Sequence, residues 1–179
     1  MDGQKVLLIG LMGTGKTTVG ELLAPRLSAR YLDNDELVLI AAGSALEDLR
    51  RRAGEAGLRA AESQALTEAL DIPAPAVAGV AAGVVRNPAD VARLETTDAT
   101  VVWLRARPET LARRVGGGGD RPWLSPDPLA VFQRMSRERN AAYEEISDLI
   151  VDVDERTPEE IVDVIVAYLD QKALIDPGK

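Results

Sequence analysis

The chain has no cysteine and no histidine among its 179 residues. That removes a thiolate nucleophile, a disulfide framework, a Cys/His zinc site and an imidazole base, so proton transfer by a side chain falls to a carboxylate or a lysine. Long apolar runs are missing as well. Nothing approaches the roughly 20 consecutive apolar residues of a membrane span, and no basic region, apolar core and cleavage site stand at the start. A cytoplasmic protein with no membrane partner is the expectation. Basic residues are the minority, 21 Lys and Arg against 29 Asp and Glu, for a net charge of −8. A nucleic-acid surface needs a basic stripe, so no nucleic acid is expected as partner, although a few placed cations suffice for a phosphate. With 46% hydrophobic and 28% charged residues, the chain should form one well-cored domain.

What is present is concentrated near the start. An apolar stretch from Lys5 to Ile9 runs into Gly10-Leu11-Met12-Gly13-Thr14-Gly15-Lys16-Thr17-Thr18, and an amphipathic pattern follows. Strand, Gly-x-x-x-x-Gly-Lys-Thr, helix is the order a phosphate cradle requires. The glycines let successive backbone N–H groups converge on phosphate oxygens, and the helix N-terminus adds unsatisfied donors and a positive dipole end. Lys16 can reach the β- and γ-phosphates, and the Thr17 hydroxyl suits Mg²⁺. Gly13, Thr14, Gly15, Lys16, Thr17 and Thr18 are therefore the expected binding residues for ATP.

Strand and helix signals alternate along the rest of the chain. Helices are expected over 16–27 (Val19, Leu22, Leu23 and Leu27 on one stripe), 35–42, 46–70, 108–115 and 129–145, with a last one after Thr157-Pro158-Glu159-Glu160. Strands are expected at the start and near 31–33, 76–80, 100–104 and 149–153. This alternation predicts an α/β fold of three layers, a parallel five-stranded sheet with helices on both faces. A single domain over 1–174 is expected, with a frayed tail at 175–179.

Three further clusters carry polar chemistry. Asp33 and Asp35 would share a face if both lay on a strand, at the end of the sheet where ligands bind; the alternative is an acidic turn capping the next helix. Arg59 and Glu62 stand one helical turn apart, which by spacing alone reads as a surface pair. Arg114 and Arg121 flank Gly116-Gly117-Gly118-Gly119, a segment suited to a lid over 116–127 that closes arginines on phosphates.

Taken together, these segments resemble shikimate kinases. The resemblance rests on the phosphate loop through Gly20, on Tyr31-Leu32-Asp33-Asn34-Asp35, on Gly54-Glu55 with Leu58-Arg59-x-x-Glu62, on Arg121-Pro122-Trp123-Leu124, and on Arg139 with Tyr143. It implies a P-loop kinase fold and transfer of phosphate from ATP to a hydroxyl of shikimate, a step of aromatic amino acid biosynthesis. It implies that Asp35, Arg59, Ala82 and Arg139 bind the acceptor, on helices within about 35–70 and beyond. Lys16, Asp35 and Arg121 would be catalytic, with Asp35 taking the proton of the attacking hydroxyl. Thr17 and Asp33 would hold Mg²⁺, Arg114 and Arg156 would flank the adenine, and the protein would be a monomer.

The sequence departs from that family pattern at Ala81-Ala82-Gly83, which aligns with Gly-Gly-Gly, and at Leu58, where the family usually has Phe. A left-handed backbone at either alanine would cost about 1 kcal/mol or more, and the added methyl would enter the acceptor's space. Both departures touch the acceptor side alone. A kinase of another small polyol acid, and a nucleotide-binding regulatory module without transferase activity, are the competing readings.

Overall fold

The structure, a computed structural model, describes residues 3–44, 46–115 and 127–175. Five strands, β1 (Lys5–Ile9), β2 (Arg30–Leu32), β3 (Ala76–Gly79), β4 (Thr100–Arg105) and β5 (Leu149–Asp152), form one sheet in the order β2-β3-β1-β4-β5. Every pairing is parallel, with Leu7 level with Ala78 on one side and Val101 on the other. Parallel neighbours need crossovers, which the helices α1 (Lys16–Arg26), α2 (Asn34–Ala42), α3 (Leu46–Asp71), α4 (Pro88–Glu95), α5 (Pro108–Val115) and α6 (Pro128–Ile146) provide, and α7 (Pro158–Ile175) follows the last strand.

The alternation of side chains along the central strands divides the core in two. Leu7, Ile9, Ala78, Val101 and Trp103 face a layer built from α2, α3, α5 and α6, including Leu37, Leu66, Leu111 and Phe132. Val6, Leu8, Val77, Val102 and Leu104 face α1 and α7 through Val19, Leu23, Ile161, Ile165 and Leu169. Burial on both faces is why these strands read as unbroken apolar runs. The expected three-layer α/β fold is the observed one.

The structure corrects several local expectations. Leu22 is 38% exposed, and Gly20 and Ala24 take the inner face of α1 beside Val19 and Leu23. The expected helix over 46–70 is kinked, because Gly54 adopts φ 63°, ψ −163°. Leu58, expected near the acceptor, is 1% exposed in the core. Helix α4 had no counterpart in the sequence reading, although Asn87 caps it by accepting from the Ala89 N–H at 3.1 Å and Pro88 follows at its first turn. Asp127, the end of the expected lid, is the N-cap of α6 and accepts from the Ala130 N–H. The rest of that segment, Arg121 included, lies outside the described residues, as do 176–179 of the expected tail. Ile175 closes α7.

Candidate functional site

The loops after β1, β2 and β3 open at the carboxyl ends of neighbouring strands, where an open parallel sheet leaves room for ligands. They line a cleft of about 2330 Å³. A single small-molecule site takes roughly 300–1,000 Å³, so this one can hold two ligands side by side.

At one end is the phosphate loop. Gly15, the N-cap of α1, has φ 94°, a conformation that a side chain would strain. Gly10 has φ 137°, and a Cβ there would stand 2.6 Å from the Leu104 carbonyl oxygen, so the loop is pressed against β4. The Lys16 ammonium donates to the carbonyls of Gly10 at 2.8 Å and Leu11 at 3.2 Å. Burial lowers its pKa to about 8, against the opposing pull of Asp33 and Asp35. Thr14 is 2% exposed and its hydroxyl bonds back to the Leu11 carbonyl, so its side chain stabilises the loop and does not face the cleft. Thr17 and Thr18 are exposed at the cleft.

The Asp33/Asp35 pair is not on a strand, contrary to the shared-face expectation. Strand β2 ends at Leu32, Asp33 is the N-cap of α2, and Asp35 lies in its first turn. Both readings of this segment therefore have a part, divided between the two residues. Asp33 Oδ1 accepts from the Asp35 N–H at 3.1 Å, while Oδ2 accepts from the Thr17 hydroxyl at 2.7 Å and the Tyr31 hydroxyl at 2.9 Å. Burial alone would raise the Asp33 carboxyl, but these three donors and the Lys16 charge hold it below the usual range. Asp35 is exposed to the cleft and, among the described residues, accepts only from the Asn34 amide, at 3.2 Å. Tyr31 was not singled out as a site residue. Its ring lies so close to Gly20 that a Cβ there would stand 2.1 Å from it, and the signal was the glycine four residues past Lys16.

At the other end, the turn after β3 draws two helices together. Ala81 and Ala82 are free of backbone strain: Ser28 is the only described non-glycine residue with positive φ, and Gly83 sits at φ −90°. The Ala82 carbonyl accepts from Arg139 Nη1 at 2.9 Å and from the Tyr143 hydroxyl at 2.7 Å, both on α6. Gly83 faces α3, where a Cβ would meet Arg59 Nη1 at 2.1 Å and Glu62 Oε2 at 2.7 Å. Arg59 is held by Glu62 at 2.6 Å and Glu55 at 3.0 Å. Spacing suggested a surface pair, but Glu62 is 9% exposed and the pair seals one wall of the cleft. Arg59 and Arg139, eighty residues apart in number, thus flank one peptide unit.

Beside the phosphate loop a smaller recess of about 220 Å³ is lined by Gly13, Thr18, Arg114, Pro158 and Ile161. Arg114 bridges its sides, donating to the carbonyls of Gly13 at 3.3 Å and Val153 at 3.0 Å. Arg156 does not line it; its guanidinium donates to the Asp152 carbonyl at 2.6 Å. Pro158 and Ile161, read only as helix start and core stripe, take that wall instead.

The chain is similar to known proteins over nearly its whole length. The family model described as Shikimate kinase matches residues 12–170. A shikimate kinase of Paramagnetospirillum magneticum is 35% identical over 173 residues, covering 94% of this chain and 87% of that protein. A shikimate kinase of Streptomyces coelicolor is 33% identical over 172 residues, covering 96% and 99%. Among solved structures, shikimate kinase from Aquifex aeolicus aligns with a TM-score of 0.77 at 27% identity, covering 96% and 99%. The fold is also that of shikimate kinase from Acinetobacter baumannii in complex with shikimate, with a TM-score of 0.87 at 24% identity, covering 96% and 95%.

Proposed function

This chain belongs to the shikimate kinase family, and we propose that it phosphorylates shikimate with ATP, giving shikimate 3-phosphate and ADP. The observation that carries the acceptor half is the convergence of Arg59 and Arg139 on the Ala82–Gly83 turn, in the same cleft as Lys16 and Asp35. Two guanidinium groups in one wall match a planar carboxylate, which accepts bidentate hydrogen bonds from arginine. Of the two carboxylates beside Lys16, Asp35 accepts one hydrogen bond among the described residues against three on Asp33, so it is the group to receive the proton of the attacking hydroxyl. Asp33, occupied by three donors, is poorly suited to that task.

On the donor side, the loop amides and Lys16 bind the β- and γ-phosphates, and swinging the ammonium from the carbonyls of Gly10 and Leu11 brings it to the transferring charge. Gly13, Gly15, Thr17 and Thr18 complete that cradle, and Arg114 walls the recess for the adenine. The adjacent oxygens of Thr17 and Asp33 fit Mg²⁺, which takes one or two protein oxygens and fills its other positions with phosphates and waters. When bound, the ion would neutralise charge on the β- and γ-oxygens.

The ordinary backbone of Ala81 and Ala82 removes strain as an objection to shikimate and leaves the two methyl groups as the difference from a glycine turn. A coupled assay of ADP release, with and without shikimate in magnesium at near-neutral pH, tests the reading. Release that depends on shikimate is expected. Release that depends instead on another polyol acid, or on none, would replace it.

A further inference from the structure

Tyr143 is fully buried on α6, with its ring 5.5 Å from that of Trp103, so its hydroxyl has a fixed direction. That hydroxyl and Arg139 Nη1 both donate to the Ala82 carbonyl. The Ala82–Gly83 peptide is trans, so its N–H points opposite to its C=O. Holding the carbonyl on α6 therefore turns the Gly83 N–H away from α6 and toward the side on which Arg59 lies over Gly83. Arg139 is 5% exposed, and its buried Nε has no hydrogen-bond partner among the described residues. A buried donor left unmatched is costly, and with Nη1 committed to the carbonyl, the edge formed by Nε and Nη2 remains for a planar anion.

We propose that Tyr143 is a positioning residue for the acceptor, through a two-donor clamp on the Ala82 carbonyl. The clamp fixes the peptide that presents the Gly83 N–H, and it frees the Nε–Nη2 edge of Arg139 for the acceptor's carboxylate. Tyr143 touches no substrate in this scheme. Without its hydroxyl, the Ala82 carbonyl depends on Arg139 alone, and the guanidinium is then drawn between the carbonyl and the incoming carboxylate. This inference rests on the proposed acceptor reading, and its test separates the two.

Tyr143→Phe keeps the ring packed against Trp103 and removes only the hydroxyl. For the variant against the parent, KM for shikimate and the calorimetric Kd for shikimate should both rise roughly three- to tenfold, the worth of one hydrogen bond. The turnover number and KM for ATP should stay within about twofold. Hydrogen exchange over 80–86 in the ligand-free protein should quicken. A purely structural tyrosine would lower the melting temperature and leave the shikimate constants alone, and that result overturns the proposal. If the parent neither binds nor turns over shikimate, the substrate reading fails by itself. The exchange experiment then decides the clamp: faster exchange over 80–86 supports it, and unchanged exchange overturns it.

Discussion

The two ends of the cleft are built in opposite ways. The phosphate loop is a contiguous run, and its geometry comes from backbone conformation: left-handed glycines, a helix N-terminus and one lysine resting on loop carbonyls. The acceptor end is assembled from α2, α3, the turn after β3 and α6, and its guanidinium groups are already tied to protein partners, Arg59 to Glu55 and Glu62, Arg139 to Ala82. Affinity at the first end follows from local chain shape, and at the second from long-range packing that fixes side chains beforehand. The difference means that the two ends should respond separately to substitution.

Asp35→Asn should break the account most visibly. Loss of a positioned proton acceptor typically costs about 10²- to 10⁴-fold in turnover, and the melting temperature should stay close to the parent's, because Asp33 and not Asp35 caps α2. A large fall in melting temperature with activity kept would assign Asp35 to the helix instead. Next in size, Lys16→Ala should weaken calorimetric ADP binding by roughly tenfold or more, since it removes the cation at the β-phosphate. Shikimate binding to the nucleotide-free protein should be unchanged, and a parallel loss there would dissolve the separation of the two ends.

The lysine also sets a pH dependence. With its pKa lowered to about 8 by burial in the free protein, nucleotide binding should be full below that pH and fall as pH rises through it. The decline approaches about tenfold per unit once binding requires proton uptake. Calorimetry in buffers of different ionisation enthalpy measures that uptake; an affinity flat from pH 7 to 9.5 contradicts it. The smallest effect is expected from replacing both Ala81 and Ala82 with glycine. Neither alanine is strained, so only the methyl volume is relieved, and KM for shikimate should improve by no more than a few-fold while that for ATP stays put. The added chain freedom should lower stability, by about 0.5–1 kcal/mol per site. A gain much beyond a few-fold would mean that the alanines distort the turn.

The unequal legibility of the two ends has the same cause. Lys16, Thr17 and the loop glycines are adjacent in sequence, and the strand before and helix after them supply the context, so the donor end was readable residue by residue. The sheet was readable because strands buried on both faces leave unbroken apolar runs. Arg59 was not readable from its neighbours, since an i,i+3 pair with Glu62 looks the same on a surface as on a cleft wall, and only the family resemblance pointed to it. The partnership of Arg139 and Tyr143 with Ala82 depends on how α6 crosses the turn, which no local pattern encodes. Helix α4 was missed although Asn87-Pro88 is a start signal of the kind that Pro108 gives the equally short α5. The strand-face reading of Asp33 and Asp35 fails, and the capping alternative holds for Asp33, because the chain turns from β2 directly into α2 at that residue.

Gly83→Ala tests the separation of the two ends most directly. The new Cβ would meet Arg59 Nη1 and Glu62 Oε2, the far ends of flexible side chains, so the pair is displaced while the fold is kept. Calorimetric titration of the variant with shikimate and, separately, with ADP should show shikimate binding weakened by roughly tenfold or more. ADP binding should match the parent's. Shikimate affinity equal to the parent's, or an equal loss for both ligands, would contradict the account.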